Sequence, residues 1–172
     1  MSNTYYGKYR GTVVANVDPE TRGRITCMVP DVLGAVPSTW AEPCTPLAGP
    51  TGPPMGVYMV PPIGAGVWVE FEQGDPDYPI WSGGRWGSPS DVPPLAHAGL
   101  PISPNIVMQT AGQNAFVISD LPGPTGGLML KSPTGASIIV NDTGIYIQNG
   151  KGASLVMTGP TVTVNNGALV VT

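Results

Sequence analysis

The sequence predicts an all-β protein of two modules. A small closed barrel spans residues 1–88, a Pro-rich linker spans 89–104, and a needle of stacked strands spans 105–172, with three chains needed to complete the needle. Three observations lead there. Glycine (24) and proline (21) make up about a quarter of the 172 residues, yet Leu, Ile, Val and Phe still supply 40, nearly half of them Val, enough to bury a core. Apolar residues alternate with polar ones at a period of two, and no segment keeps a 3.6 period over ten residues. The C-terminal third repeats a β-branched run and a glycine about every eight residues.

The barrel elements follow in order. Val13 to Val17 reads as a strand leading into the turn-rich Asp18-Pro19-Glu20-Thr21-Arg22-Gly23. In Arg24 to Val29, Ile25, Cys27 and Val29 alternate with Arg24, Thr26 and Met28, as in a half-buried strand. Thr39 to Pro43 and Gly56 to Val60 are shorter candidates. Val67, Val69 and Phe71 alternate with Trp68, Glu70 and Glu72. Gln73-Gly74-Asp75-Pro76-Asp77 is a tight turn, and Pro79 to Trp86 resumes an extended segment. Five or six short strands with no obvious helix suggest a sheet closed on itself, which removes its own edges.

The linker holds five prolines, which fix φ and remove amide donors, and it reads as semi-rigid and extended. Charge changes across it. Residues 1–91 carry 14 of the 18 charged side chains, whereas only Asp120, Lys131, Asp142 and Lys151 follow. Beyond the linker, glycines at 127, 135, 144, 152, 159 and 167 separate Leu128–Leu130, Ile138–Val140, Ile145–Ile147, Leu155–Met157, Thr161–Val164 and Leu169–Val171. So short a stack, with no helix to cover it, cannot bury a face on itself. Other copies must cover it, and a threefold intertwined β-prism is the economical solution. Roughly eight strands at about 4.8 Å each give a needle on the order of 40 Å.

Composition excludes several functions. The net charge of −4 and a pI near 4.6 leave no basic face for a nucleic-acid partner. Cys27 and Cys44 with the single His97 supply no zinc site, and the two cysteines read as small apolar residues of a β layer. No metal and no cofactor are expected. No run of about 18 apolar residues occurs, and with a polar, aromatic stretch from Met1 to Arg10 neither a transmembrane helix nor a secretory signal peptide is expected. Glu70 and Glu72 share a strand face with Asp75 and Asp77 just beyond, but a strand end and a turn are convex. Glycoside cleavage needs two carboxylates in a cleft, so no catalytic residue is assigned. Trp68 shares that polar face, which makes it either a partner contact or a wedge against a neighbouring subunit.

Several stretches resemble one family. They are Gly7-Lys8-Tyr9-Arg10-Gly11, Asp18-Pro19-Glu20 through Arg22-Gly23-Arg24-Ile25, Val29-Pro30-Asp31-Val32, and most specifically Pro62-Ile63-Gly64 through Val67-Trp68-Val69-Glu70-Phe71-Glu72-Gln73-Gly74-Asp75-Pro76-Asp77-Tyr78-Pro79-Ile80-Trp81. Lys131-Ser132-Pro133-Thr134-Gly135-Ala136-Ser137 and Asn141-Asp142-Thr143-Gly144 add to them. The chain thereby resembles the baseplate central spike of contractile injection systems, the group of the phage T4 central spike, the phage baseplate assembly protein V and the VgrG proteins.

The resemblance implies an oligosaccharide/oligonucleotide-binding (OB) fold barrel followed by a triple-stranded β-helix needle, as a homotrimer. It lacks the lysozyme domain of the T4 spike and the hub domains of VgrG, so hub and hydrolase are expected on other chains. The expected role is structural: a spike that pierces the envelope mechanically on sheath contraction, in a virion tail baseplate or an extracellular injection particle assembled in the bacterial cytoplasm. Baseplate hub proteins would dock on the aromatic barrel surface at Tyr5, Tyr6, Tyr9 and Trp68. A PAAR-like tip protein would seat on Asn165, Asn166, Gly167, Ala168, Leu169, Val170, Val171 and Thr172. The alternatives are a glycan-binding or glycan-cleaving tail-fibre protein and an OB-fold nucleic-acid-binding protein.

Overall fold

The computed structural model describes residues 3–50 and 52–172. The chain divides into two compact units that part between Pro89 and Ser90.

In the first unit, β1 (Tyr9–Ala15), β2 (Thr26–Met28), β3 (Glu42–Pro43), β4 (Gly66–Phe71) and β5 (Pro79–Arg85) lie in the order β2-β1-β4-β5-β3. All neighbours are antiparallel except β3 and β5, which run parallel. The sheet closes where β2 and β3 meet. Ile25 and Ala41 exchange both backbone hydrogen bonds, at 3.2 and 2.7 Å, and the Ser38 amide donates to the Cys27 carbonyl at 2.8 Å. The circuit 1-2-3-5-4-1 is a five-stranded Greek-key barrel, the OB arrangement.

Alternation decides the interior. Val13, Ile25, Cys27, Val29, Val67, Val69, Phe71 and Trp81 form one buried cluster with Ala41. Gly11 faces the same interior, where a Cβ would stand 2.8 Å from a Val69 methyl, so a larger residue would overfill the barrel. Two details differ from the sequence expectation. Pro30–Leu33 forms one turn of helix, α1, started by Pro30 at its first position. Gly56 to Val60 is not a strand; residues 45–50 and 52–57 lie alongside each other as a ribbon, with a bridge between Ala48 and Gly56.

In the second unit, β6 (Ile106–Gln109), β7 (Ala115–Ser119), β8 (Gly127–Lys131), β9 (Ala136–Asn141), β10 (Gly144–Asn149), β11 (Ser154–Thr158), β12 (Thr161–Val164) and β13 (Leu169–Val171) form one eight-stranded antiparallel meander in strict sequence order. The repeating glycines sit at its turns with positive φ. Gly127 and Gly144 are also close approaches, because a Cβ there would collide with the carbonyl oxygens of Val140 and Met157.

Each ladder joins sequence neighbours within the one chain. The outer edges of β6 and β13 are what these ladders leave unpaired. The segment 89–104 is also not simply extended. It forms 3-10 turns at Pro89–Asp91 and Pro94–Ala98, and Asn105 donates through its side chain to the Leu95 carbonyl at 2.8 Å.

Candidate functional site

Register, not composition, reveals the main surface of the second unit. Residues opposite one another across a ladder share a face. One row therefore runs Ile106, Ile118, Leu128, Val140, Ile145, Met157, Val162, Val171. A second row beside it runs Met108, Phe116, Leu130, Ile138, Ile147, Leu155, Val164, Leu169. All sixteen side chains are apolar. The opposite face carries Gln109, Lys131, Ser137, Gln148, Ser154 and Thr163 among its apolar residues, and Gln148 donates to Ser137 there at 3.0 Å.

In the single chain the wholly apolar face is open. Ile106, Met108, Leu128, Leu130, Ile138, Val140, Ile147, Leu169 and Val171 are all exposed, Leu130 to 50%. An apolar patch of this extent marks an association surface. Phe116, Ile118, Ile106 and Met108 belong to it although β6 and β7 lie outside the glycine repeat. No alternation marks them, because Ile106-Val107-Met108 and Ala115 to Ile118 are unbroken apolar runs, and only the ladder register assigns them to this face.

The residues expected to dock a hub do not form one exposed patch. Tyr5, Tyr9 and Phe71 pack as an aromatic cluster with ring centroids 5.7 to 6.3 Å apart, so Tyr5 and Tyr9 support the barrel end. Tyr6 is 72% exposed, and its neighbour Tyr5 donates its amide to the Gly74 carbonyl at 2.8 Å. Trp68 is half-buried on the outer barrel face, opposite Arg10 on β1 and Gly83 on β5. At the other terminus, Asn165–Gly167 forms a 3-10 turn, and Leu169, Val170 and Val171 of β13 are exposed. Asn165 also accepts a hydrogen bond from the Ser154 amide at 3.0 Å, which ties the turn to β11.

The acidic residues are used structurally. Glu70 pairs with Lys8 at 3.1 Å. Glu72 begins a 3-10 turn, and Asp75 caps the following turn by accepting from the Asp77 amide at 3.0 Å. Asp18 organises the β1–β2 loop. It accepts from the amides of Glu20, Arg22 and Arg24 at 2.8 to 3.2 Å and from the Arg24 guanidinium at 2.7 and 3.0 Å. The Arg24 guanidinium, helped by those amides and opposed by burial, holds the Asp18 carboxyl well below the usual carboxylate range. Arg24 also bonds Glu20 and lies 5.7 Å from the Trp40 ring centre. The sequence marked this loop as a turn but not the ion pair within it. Among the described residues, no group of three or more His, Cys, Asp or Glu could hold a metal ion. No described helix is long and apolar enough to cross a membrane.

Two family models match. The type VI secretion system/phage-baseplate injector OB domain matches residues 9–86, over the barrel. The phage baseplate V C-terminal trimerisation domain matches residues 105–170, over the meander. No curated protein matches the chain. An open face of sixteen apolar side chains calls for association, which agrees with the match to a trimerisation domain, and the barrel circuit agrees with the OB match. The chain belongs to the phage baseplate V family of injector spike proteins, structural baseplate components that assemble as homotrimers.

Proposed function

We propose that three copies of this chain form the central spike of a contractile baseplate, which pierces the target envelope on sheath contraction and joins the tail hub to a separate tip protein. The observation that carries this is the uninterrupted apolar face. Eight strands at about 4.8 Å each give a face on the order of 40 Å long, and three such faces closed on one another make a column with a continuous apolar core. The residues facing that core shrink along the chain, from Ile106, Met108, Phe116 and Ile118 to Val162, Val164, Leu169 and Val171. Smaller side chains let sheets approach more closely, so the column narrows toward β13, as a penetrating point should.

In this reading Tyr6 and Trp68 meet the hub, while Tyr5 and Tyr9 pack with Phe71 to hold the barrel end. Residues 165–172 seat the tip, because β13 offers exposed apolar side chains and pairs on one edge only. The particle is a virion tail or an extracellular injection machine, and the chain performs no catalysis. Particles built with a chain lacking residues 150–172 should assemble and contract yet fail to permeabilise target cells. Permeabilisation at the wild-type rate would refute the piercing role. Separately, Tyr6→Ala with Trp68→Ala should abolish incorporation into baseplates, and deleting residues 168–172 should release the tip protein.

A further inference from the structure

We infer that the barrels of adjacent copies in the trimer bind one another through the ribbon of residues 45–50 and 52–57 and the groove beside it. Residues 43–69 contain no charged side chain, although the first module holds most of the charge of the chain. Depletion of charge is the compositional mark of an interface core. Described residues on the two sides of the ribbon are also tied to each other by hydrogen bonds. The Gly49 amide donates to the Met55 carbonyl at 2.8 Å, the Val57 amide to Leu47 at 3.0 Å, and the Thr45 hydroxyl to Val57 at 2.8 Å. Leu47, Met55, Tyr58 and Met59 nevertheless remain exposed, Tyr58 to 70%. A groove of about 400 Å³ runs between the foot of this ribbon and the barrel wall at Trp81 to Gly84, with Cys44 on its lining.

A second copy of the chain is the occupant that these features favour. The charged residue on the groove lining, Arg22, is already paired with Glu20 and Glu42 at 3.0 and 2.8 Å; the apolar surface beside it needs a cover at all times, and a partner met only at final assembly would leave it bare until then. The trimerisation domain tethers two other barrels to each barrel, at an effective concentration on the order of millimolar. Threefold contacts are heterologous: one patch meets a different patch on the next copy, and the ring closes. The ribbon and the groove supply two such patches on each barrel. The inference rests on the trimer, and its test separates the two.

The thiols allow that test on the full chain. Cys27 is fully buried, and burial pushes its thiol up, whereas Cys44 is exposed on the groove. A maleimide–benzophenone label should therefore attach at Cys44 alone. After sedimentation has established the trimer, illumination should give covalent dimers and trimers on a denaturing gel. Mass spectrometry should place the cross-links on residues 45–60 or 81–86 of another copy. Cys44→Ser should give none, and Tyr58→Lys with Met59→Lys should remove them while the trimer persists. A trimer whose labels join only their own chain would overturn the interface and leave the trimer standing. Labels captured by a different baseplate protein in assembled particles would overturn it too. A monomer would overturn the trimer and this interface together.

Discussion

Replacing Leu130 by Asp tests which face of the meander is the trimer core. Leu130 lies in the second apolar row, between Phe116 and Ile138, and keeps half of its surface exposed in the single chain. Full burial of a leucine is worth roughly 2–3 kcal/mol, so closing the trimer over it contributes about 1 kcal/mol per chain and about 3 kcal/mol per trimer. Aspartate forfeits that and sets three like charges in a low-dielectric core, each at a cost of several kcal/mol unless protonated. The control is Gln148→Glu, which adds the same charge on the opposite face of β10. Sedimentation velocity of both variants at micromolar concentration is the assay. L130D should sediment as a monomer or aggregate, and should regain trimer as pH falls below the ordinary aspartate pKa. Q148E should remain trimeric throughout. Equal behaviour of the two variants, or a fully trimeric L130D at neutral pH, would show that the apolar face is not the core.

Gly144→Ala drives a methyl into the Met157 carbonyl oxygen and should cost at least about 2 kcal/mol in each chain. Gly112→Ala, whose nearest contact would be 3.8 Å away, should be nearly neutral; thermal unfolding of the two variants checks the difference. Asp18→Asn should lower the melting temperature of the barrel at neutral pH and flatten its acid limb. Folding depresses the Asp18 pKa, so the stability it gives is complete above the ordinary aspartate value and drains away as pH falls toward the folded one. Melting curves taken from neutral into acid pH for wild type and D18N should converge at the acid end, and parallel curves would contradict the assignment.

The barrel strands were legible where the period of two was clean. Val67, Val69 and Phe71 all point inward as their alternation requires, and so do Ile25, Cys27 and Val29. Closure itself was legible from the number of short strands, but its seam was not, because it rests on bridges of Ile25 with Ala41 and of Met28 with Pro37, contacts no local pattern encodes. The segment Gly56 to Val60 misled for a physical reason. Its apolar residues have strand propensity but no sheet edge beside them, since β3 pairs with β5 instead. In the second module the glycine spacing located the turns. Which face was the core required register, since a shift of one residue exchanges Leu130 for Met129. The hub residues divided along similar lines. Aromatic character was visible in Tyr5, Tyr6 and Tyr9, but only packing against Phe71 separates the two that support the barrel from the one that is exposed.

A side-chain-resolution reconstruction of the particle that carries this chain would show which face of the meander lies on the trimer axis. It should show three copies on the threefold axis at the front of the baseplate, with Leu130, Ile138 and Ile147 directed at the axis and Lys131 and Gln148 toward solvent. A single copy at the periphery, or three copies with Lys131 and Gln148 turned to the axis, would contradict this arrangement.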